Sequence, residues 1–220
     1  MARTWKTLLI YRIMDREIQR CAREYFRGSL IDIGCGTKPY KAFVQPYITQ
    51  YVGLDRSDPF NPATEVDLIA SAYEIPVADE SFDTALSTAS LEHLAEPMVA
   101  LGECYRILKP GGIAIYTVPF FWHLHSEPWD YFRFSKYGLE HIFRRVGFEV
   151  VEIRALAGFW TTAATMFAYY LERFDVGIMR YTRIVPALGV IFQEIASVLD
   201  KWDRAEEWTW MYTAVGRKAG

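Results

Sequence analysis

The sequence predicts an α/β fold built on an open, doubly wound sheet, and three observations predict it. Leu30–Ile33 is a short apolar run with β-branched residues, the pattern of a buried strand. Gly34 and Gly36 follow at once, and Pro39 suits the first turn of a helix. Gln50–Asp55 is a second apolar strand that closes in an acid, about twenty residues after the glycines. Strand, glycine turn and helix start form the nucleotide-binding corner of such a sheet. A carboxylate at Asp55 accepts hydrogen bonds from two ribose hydroxyls. A nicotinamide dinucleotide needs a third glycine for close packing over a pyrophosphate, and Pro39 stands in that place. The loop therefore fits a ribose-bearing ligand without a pyrophosphate.

Five motifs then occur in a telling order: Asp32-x-Gly34-Cys35-Gly36, Asp55, Ser81-Phe82-Asp83, Leu91-Glu92-His93 and Leu108-Lys109-Pro110-Gly111-Gly112. In this order they resemble the class I S-adenosylmethionine-dependent methyltransferases, in the methyltransferase-11-like small-molecule branch, over residues 29–155. The resemblance implies a Rossmann-like, seven-stranded, mostly parallel sheet with an antiparallel last strand. It implies S-adenosyl-L-methionine as cofactor. It places Asp32, Gly34, Cys35, Gly36, Asp55, Arg56, Ser71, Ala72, Thr88 and Ala89 around that cofactor. Ser71 stands where the family often has an aspartate for the adenine amino group, and its hydroxyl can accept the same hydrogen bond. Arg56 could lie against the adenine face or equally remain a solvated arginine.

Taken in order, Thr4–Arg27 is an amphipathic helix ended by Gly28. It is read as a packing helix or, by resemblance, as a flap that brings Tyr11 and Tyr25 to the site. Tyr40–Tyr47 is a short helix. Asp58-Pro59 and Asn61-Pro62 mark a loop, and Val66–Ala70 is a third strand. Thr84–Ser87 is the fourth, with Phe82 a core residue. Glu92 and His93 begin the segment after it; by resemblance the pair shapes the site, and His93 could act as a base. Pro97–Leu108 is a helix that Lys109–Gly112 stops, and Ile113–Val118 is the fifth, central strand. Ser135 caps a helix that ends before Gly147, and Phe148–Leu156 is the sixth strand.

Pro119–Ser135 follows the fifth strand on the rim that holds the glycine loop. It is crowded with aromatic residues, among them Phe121, Trp122 and Trp129. Aromatic walls exclude water from a sulfonium and attract it through their π faces. Within the loop, His125, Pro128, Asp130, Tyr131, Arg133 and Phe134 match a pattern of one methyltransferase branch. Phe121, Trp122, Trp129, Asp130 and Arg133 are the candidate acceptor-binding residues; Asp130 and Arg133 could equally form an ion pair that orders the loop. An oxygen or nitrogen acceptor must lose a proton, so His125, then His123, is the candidate base, with Tyr131 a further catalytic candidate. No spacing of His, Cys, Asp or Glu marks a metal site.

Thr209–Arg217 is the last strand, so more than fifty residues separate it from the sixth. The expected layout is one methyltransferase domain over 1–220: helix 1–28, cofactor core 29–156, helical insert or lid 157–207, last strand and tail 208–220. In the insert, Trp160, Ala164, Phe167, Leu171 and Phe174 recur at helical spacing, as do Ile184, Leu188, Ile191, Ile195, Val198 and Trp202. Such faces suit a lid, a homodimer interface or peripheral membrane contact.

Composition narrows the rest. A chain of 220 residues, 51% of them apolar, supports a substantial core. A net charge of −3 offers nucleic acid no general attraction. Cys21, Cys35 and Cys104 are scattered and odd in number, which fits a reducing, cytoplasmic setting. The first eleven residues hold too short an apolar run for a secretory signal. The expected function is methyl transfer to a small-molecule or saccharide-like, lipid-linked or free, acceptor. The alternatives are a nucleic-acid or protein methyltransferase and a non-catalytic cofactor-binding or assembly module.

Overall fold

The computed structural model describes residues 4–56, 66–203 and 205–220; the turn dipeptides Asp58-Pro59 and Asn61-Pro62 lie outside them. The chain forms two compact units. Of the described residues, one holds those within 18–119, 124–154 and 212–220; the other holds those within 4–17, 120–123 and 155–211.

The larger unit is the sheet. Its strands are β1 (Ser29–Ile33), β2 (Gln50–Asp55), β3 (Leu68–Ile69), β4 (Phe82–Thr88), β5 (Leu108–Pro119), β6 (Phe148–Ala155) and β7 (Met211–Lys218). They lie in the order β3-β2-β1-β4-β5-β7-β6. Parallel pairing joins the first five, and the sheet has its antiparallel strand at the end of the chain. Order reverses beside β1, so the carboxyl ends of β1 and β4 diverge and leave a crevice. The strand interiors are apolar: Leu30, Ile31, Leu86, Ala114, Ile115 and Val215 are fully buried, as expected where both faces are covered.

Several elements differ from expectation for local reasons. The short helix α2 (Lys41–Val44) begins after Pro39, because Lys38 takes a positive φ of 52° and forms a turn first. β3 has two residues rather than five. Helix α3 (Pro97–Ile107) stops where expected, but Lys109–Gly112 continues into β5 as a bulge. Phe82 pairs with Leu108 while Thr84 pairs with Ile113. The Lys109 ammonium reaches Asp83 Oδ2 at 2.8 Å and ties the bulge down. Phe82 is buried, as expected. Helix α4 (Lys136–Val146) follows its signals: Ser135 Oγ accepts from Gly138 N at 3.1 Å, and Gly147 ends it at φ 118°.

The smaller unit is helical. It contains α5 (Phe159–Leu171), α6 (Gly177–Thr182), α7 (Ile184–Leu199) and the first half of α1 (Leu8–Tyr25), whose second half belongs to the sheet unit. Asp200 accepts the backbone N–H groups of Gly158, Trp160 and Thr161 at 3.0–3.1 Å, satisfying the start of α5. Buried Gln193 accepts from Leu9 N at 3.2 Å and donates to the carbonyls of Trp5 and Gly189, each at 3.0 Å. The Trp5 ring sits where a Cβ on Gly189 would be, 2.2 Å away. α7 therefore buries Val185, Gly189, Gln193 and Ala196. The apolar stripe Ile184, Leu188, Ile191, Ile195, Val198 and Trp202 is left exposed. No described helix is long and apolar enough to cross a membrane.

Candidate active site

The site forms where β1, β2 and β4 end. Gly34 and Cys35 both donate their N–H to the Leu54 carbonyl, at 2.8 and 3.0 Å, so the glycine loop folds over β2. Gly34 has φ 77°, and a Cβ there would stand 2.3 Å from Ser90 Oγ; no side chain fits. Asp55 Oδ2 accepts from Gly36 N at 2.8 Å, and Oδ1 from Arg56 N at 2.8 Å. The acid thus holds the loop while keeping lone pairs for further donors.

A cavity of about 660 Å³ opens at this rim. Gly34, Asp55, Arg56, Ser71 and Ala72 line it, together with Ile33, Leu54, Ile69, Tyr73, Ser87, Ser90, His93, Tyr116, Trp129 and Tyr131. The Arg56 guanidinium lies 5.0 Å from the Trp129 ring centre, a cation–π contact at the wall. Ser71 Oγ accepts from Tyr73 N at 3.2 Å in a local turn. The donor set fits an adenosyl sulfonium: a carboxylate for ribose hydroxyls, an apolar wall for the base, and aromatic faces for the cation.

Asp32, Cys35, Gly36, Thr88 and Ala89 are not among the lining residues. Asp32 points into the protein, 1% exposed, and accepts from the Tyr51 hydroxyl. Its other oxygen has no hydrogen-bond partner. Burial pushes this carboxyl up to about 7; Tyr51 and Lys38 oppose the rise and Asp55 adds to it. Burial likewise pushes the Cys35 thiol up to about 12, so it is no ready nucleophile. Ala89 follows β4 with φ 49° and donates to the Thr117 carbonyl at 2.9 Å.

Beyond Trp129 and Tyr131 the loop docks on the segment after β4. The Glu92 carbonyl accepts from Tyr131 N at 3.0 Å and from Phe132 N at 3.2 Å. Asp130 and Arg133 are brought together as a bidentate pair, both bonds 2.7 Å, with Asp130 almost wholly buried. Arg133 holds the Asp130 carboxyl well below the usual carboxylate range. Asp130 Oδ2 also accepts from His125 N at 2.9 Å and lies 3.3 Å from its Nδ1. The His93 and His125 rings meet edge to face with centroids 4.8 Å apart. Glu92 is fully buried beside them, and neither carboxylate oxygen has a hydrogen-bond partner. Burial raises its carboxyl to about 8.

Phe121, Trp122 and His123 belong to the helical unit. Phe121 stacks on Trp208, and Trp122 meets His123, Tyr169 and Trp210. His123 and Tyr169 line a separate cavity of about 600 Å³ with Lys6, Met166 and Phe167. Tyr25 donates to Glu152 at 3.1 Å, and Arg20 pairs with the same acid, which ties α1 to β6. The sequence pattern alone does not assign Tyr73, Ser87 or Ser90 to the site. The signal for the last two is their place at the end of β4, where ligands gather in open sheets.

A methyltransferase-domain family model matches residues 31–116. The ubiquinone biosynthesis O-methyltransferase of Dinoroseobacter shibae is 31% identical over 101 residues, covering 41% of each chain. The tRNA (carboxymethyluridine(34)-5-O)-methyltransferase of Arabidopsis thaliana is 35% identical over 100 residues, 41% of this chain and 24% of that one. The chain thus spans less than half the length of these curated relatives. The crystal structure of the cyclase SpnF aligns over 93% of this chain and 80% of its own, with TM-score 0.63 and 22% identity. That likeness concerns the fold. Motif order, matched domain and strand order agree on a methyltransferase domain of the class I S-adenosylmethionine-dependent type over residues 31–116, and S-adenosylmethionine is the cofactor that such a domain takes.

Proposed function

We propose that the protein catalyses methyl transfer to a small-molecule or saccharide-like acceptor, and that this acceptor is lipid-linked. The cavity at the β1–β2–β4 rim, with Asp55 on one wall and Trp129 and Tyr131 on another, carries the first part. When bound, S-adenosylmethionine supplies an electrophilic methyl group on a cationic sulfur. Asp55 orients it by accepting from the ribose hydroxyls, and Ser71 is placed at the adenine side. Trp129 and Tyr131 keep water from the reacting end and face positive charge with their π surfaces. His93 and His125 stand beside that wall and can take up the proton the acceptor loses. Positioning in the cavity supplies much of the rate.

The exposed stripe of α7 supports the lipid-linked acceptor. Ile191, Phe192, Ile195 and Val198 are about half exposed, an apolar face suited to a bilayer surface. A tRNA acceptor, suggested by one relative, is disfavoured by the net charge of −3.

Two measurements test the core of this reading. Asp55→Ala should weaken S-adenosylhomocysteine binding by roughly 1–3 kcal/mol in calorimetry, through lost hydrogen bonds; unchanged affinity removes the ribose role. Methyl-labelled cofactor should yield S-adenosylhomocysteine with lipid-linked saccharide or quinol acceptors. Cofactor binding without turnover on any of them would leave the non-catalytic alternative.

A further inference from the structure

We propose that Glu92, His93 and His125 form a binding site for one divalent metal ion of the zinc, manganese or iron type. Sequence spacing does not suggest it, because His125 comes from a different loop. The docking of Tyr131 and Phe132 on the Glu92 carbonyl assembles the group. One ligand atom from each residue lies within 4.8 Å of the others. Atoms so spaced are at most about 2.8 Å from a common centre, so an inward shift of about 0.7 Å reaches the roughly 2.1 Å of such metal bonds.

Three independent features point to a cation. Glu92 is fully buried, and both its oxygens lack a hydrogen-bond partner in a place where such oxygens normally have several. A metal ion supplies the missing partner. His93 Nδ1 lies 2.8 Å from the Trp129 carbonyl, which fixes its tautomer as Nδ1–H and leaves Nε2 as the lone pair, 3.9 Å from Glu92 Oε1. Asp130 Oδ2 stands 3.3 Å from His125 Nδ1, the arrangement by which a carboxylate orients a metal-ligating imidazole. Arg133 Nη2 lies 3.5 Å from the same His125 nitrogen, and its charge is matched by the bidentate Asp130.

Two imidazoles and one carboxylate select first-row transition ions over magnesium or calcium, and three protein ligands leave coordination positions open. Because His93 also lines the large cavity, the open positions adjoin it. With the ion bound, the two imidazole lone pairs are committed to it and no longer serve as bases; instead the ion can hold an acceptor oxygen and ease loss of its proton to solvent water. Only this role rests on the methyl-transfer reading; metal binding does not.

The test uses the full chain, stripped with a chelator and titrated with Co²⁺. Expected is saturable uptake of one ion per chain, with visible ligand-field bands and a raised melting temperature. Glu92→Gln, His93→Ala and His125→Ala should each weaken uptake on the order of 100-fold, and Asp130→Asn about 10–100-fold. No saturable uptake by the wild type, or uptake that the three ligand variants retain while still folded by circular dichroism, overturns the site. S-adenosylhomocysteine binding is measured in parallel. If it persists without Co²⁺ uptake, the metal site fails and the methyl-transfer reading stands. Co²⁺ uptake without S-adenosylhomocysteine binding leaves the metal site standing and removes the methyl-transfer reading.

Discussion

Asp32 should make the stability of the protein fall as pH rises towards neutrality, and Asp32→Asn should remove its share of that fall. The side chain lies inside β1, 1% exposed, with one oxygen on the Tyr51 hydroxyl and the other unpartnered. Burial holds the folded carboxyl at about 7 against an ordinary 3.8. Between those values the native state keeps a proton that the unfolded chain has released. The stabilisation is complete below the unfolded value and is lost as pH climbs through the folded one. At 1.36 kcal/mol per pH unit the whole window is worth about 4 kcal/mol, and the stretch from pH 5 to 7 about 2–3 kcal/mol. An asparagine carries no proton to lose and still offers Tyr51 an acceptor. Its own amide cost does not vary with pH. The measurement is urea unfolding of both proteins at pH 5, 6, 7 and 8. The stability of wild type relative to variant should drop by about 2–3 kcal/mol across that range. Glu92 also titrates with a raised pKa, but it is common to both proteins and cancels in the difference. Parallel curves would show that Asp32 is ionised in the fold at pH 5, and the burial argument would be wrong.

Two further outcomes are expected. Gly34→Ala puts a methyl 2.3 Å from Ser90 Oγ at a φ of 77°; a cost of about 2 kcal/mol lowers the melting temperature by roughly 4–8 °C, Ser90→Gly should recover part of it, and an unshifted melt would mean the loop tolerates a side chain. The full chain should co-sediment with lipid vesicles, and Ile191→Lys with Ile195→Lys should abolish this without lowering the melting temperature, since both are about half exposed; equal sedimentation would remove the bilayer contact.

Much of the sheet unit was legible because its signals are local. Gly34, Gly36 and Asp55 declare themselves by residue type and spacing, and the backbone uses them as the sequence implies: a positive φ at each glycine and a carboxylate on the Gly36 amide. Ser135 and Gly147 bound α4 because a cap depends on one hydroxyl and one left-handed residue. Lys109–Gly112 misled for a related reason. Proline and glycine end a helix and also permit a bulge, and contacts from other elements, among them Asp83 on the neighbouring strand and Lys218, hold the chain in the sheet. Positions set by a partner elsewhere in the sequence cannot be read from local pattern. Glu92 and His125 lie far apart in the chain and meet because two backbone amides of the aromatic loop find one carbonyl.

The helical unit shows the same limit from the other side. Periodicity identifies α7 as a helix with an apolar stripe, yet the face it buries is a different one, built on Val185, Gly189, Gln193 and Ala196. Hydrophobicity alone would have turned Ile184, Leu188, Ile191 and Ile195 inward. What turns α7 instead is a polar demand. The first turns of the chain carry backbone groups that need partners, and Gln193 serves two of them, the Leu9 amide and the Trp5 carbonyl. Only glycine at 189 lets the Trp5 ring approach closely enough for that contact. An unmet buried amide or carbonyl costs about 1–3 kcal/mol. A half-exposed isoleucine forfeits only part of its roughly 1.5–3 kcal/mol burial gain, and recovers it if something apolar covers the face. The outward stripe is thus compatible with a stable helical unit, and a covering surface would add stability rather than be needed for folding. The vesicle experiment separates these two ideas, because it asks for binding to change while melting does not.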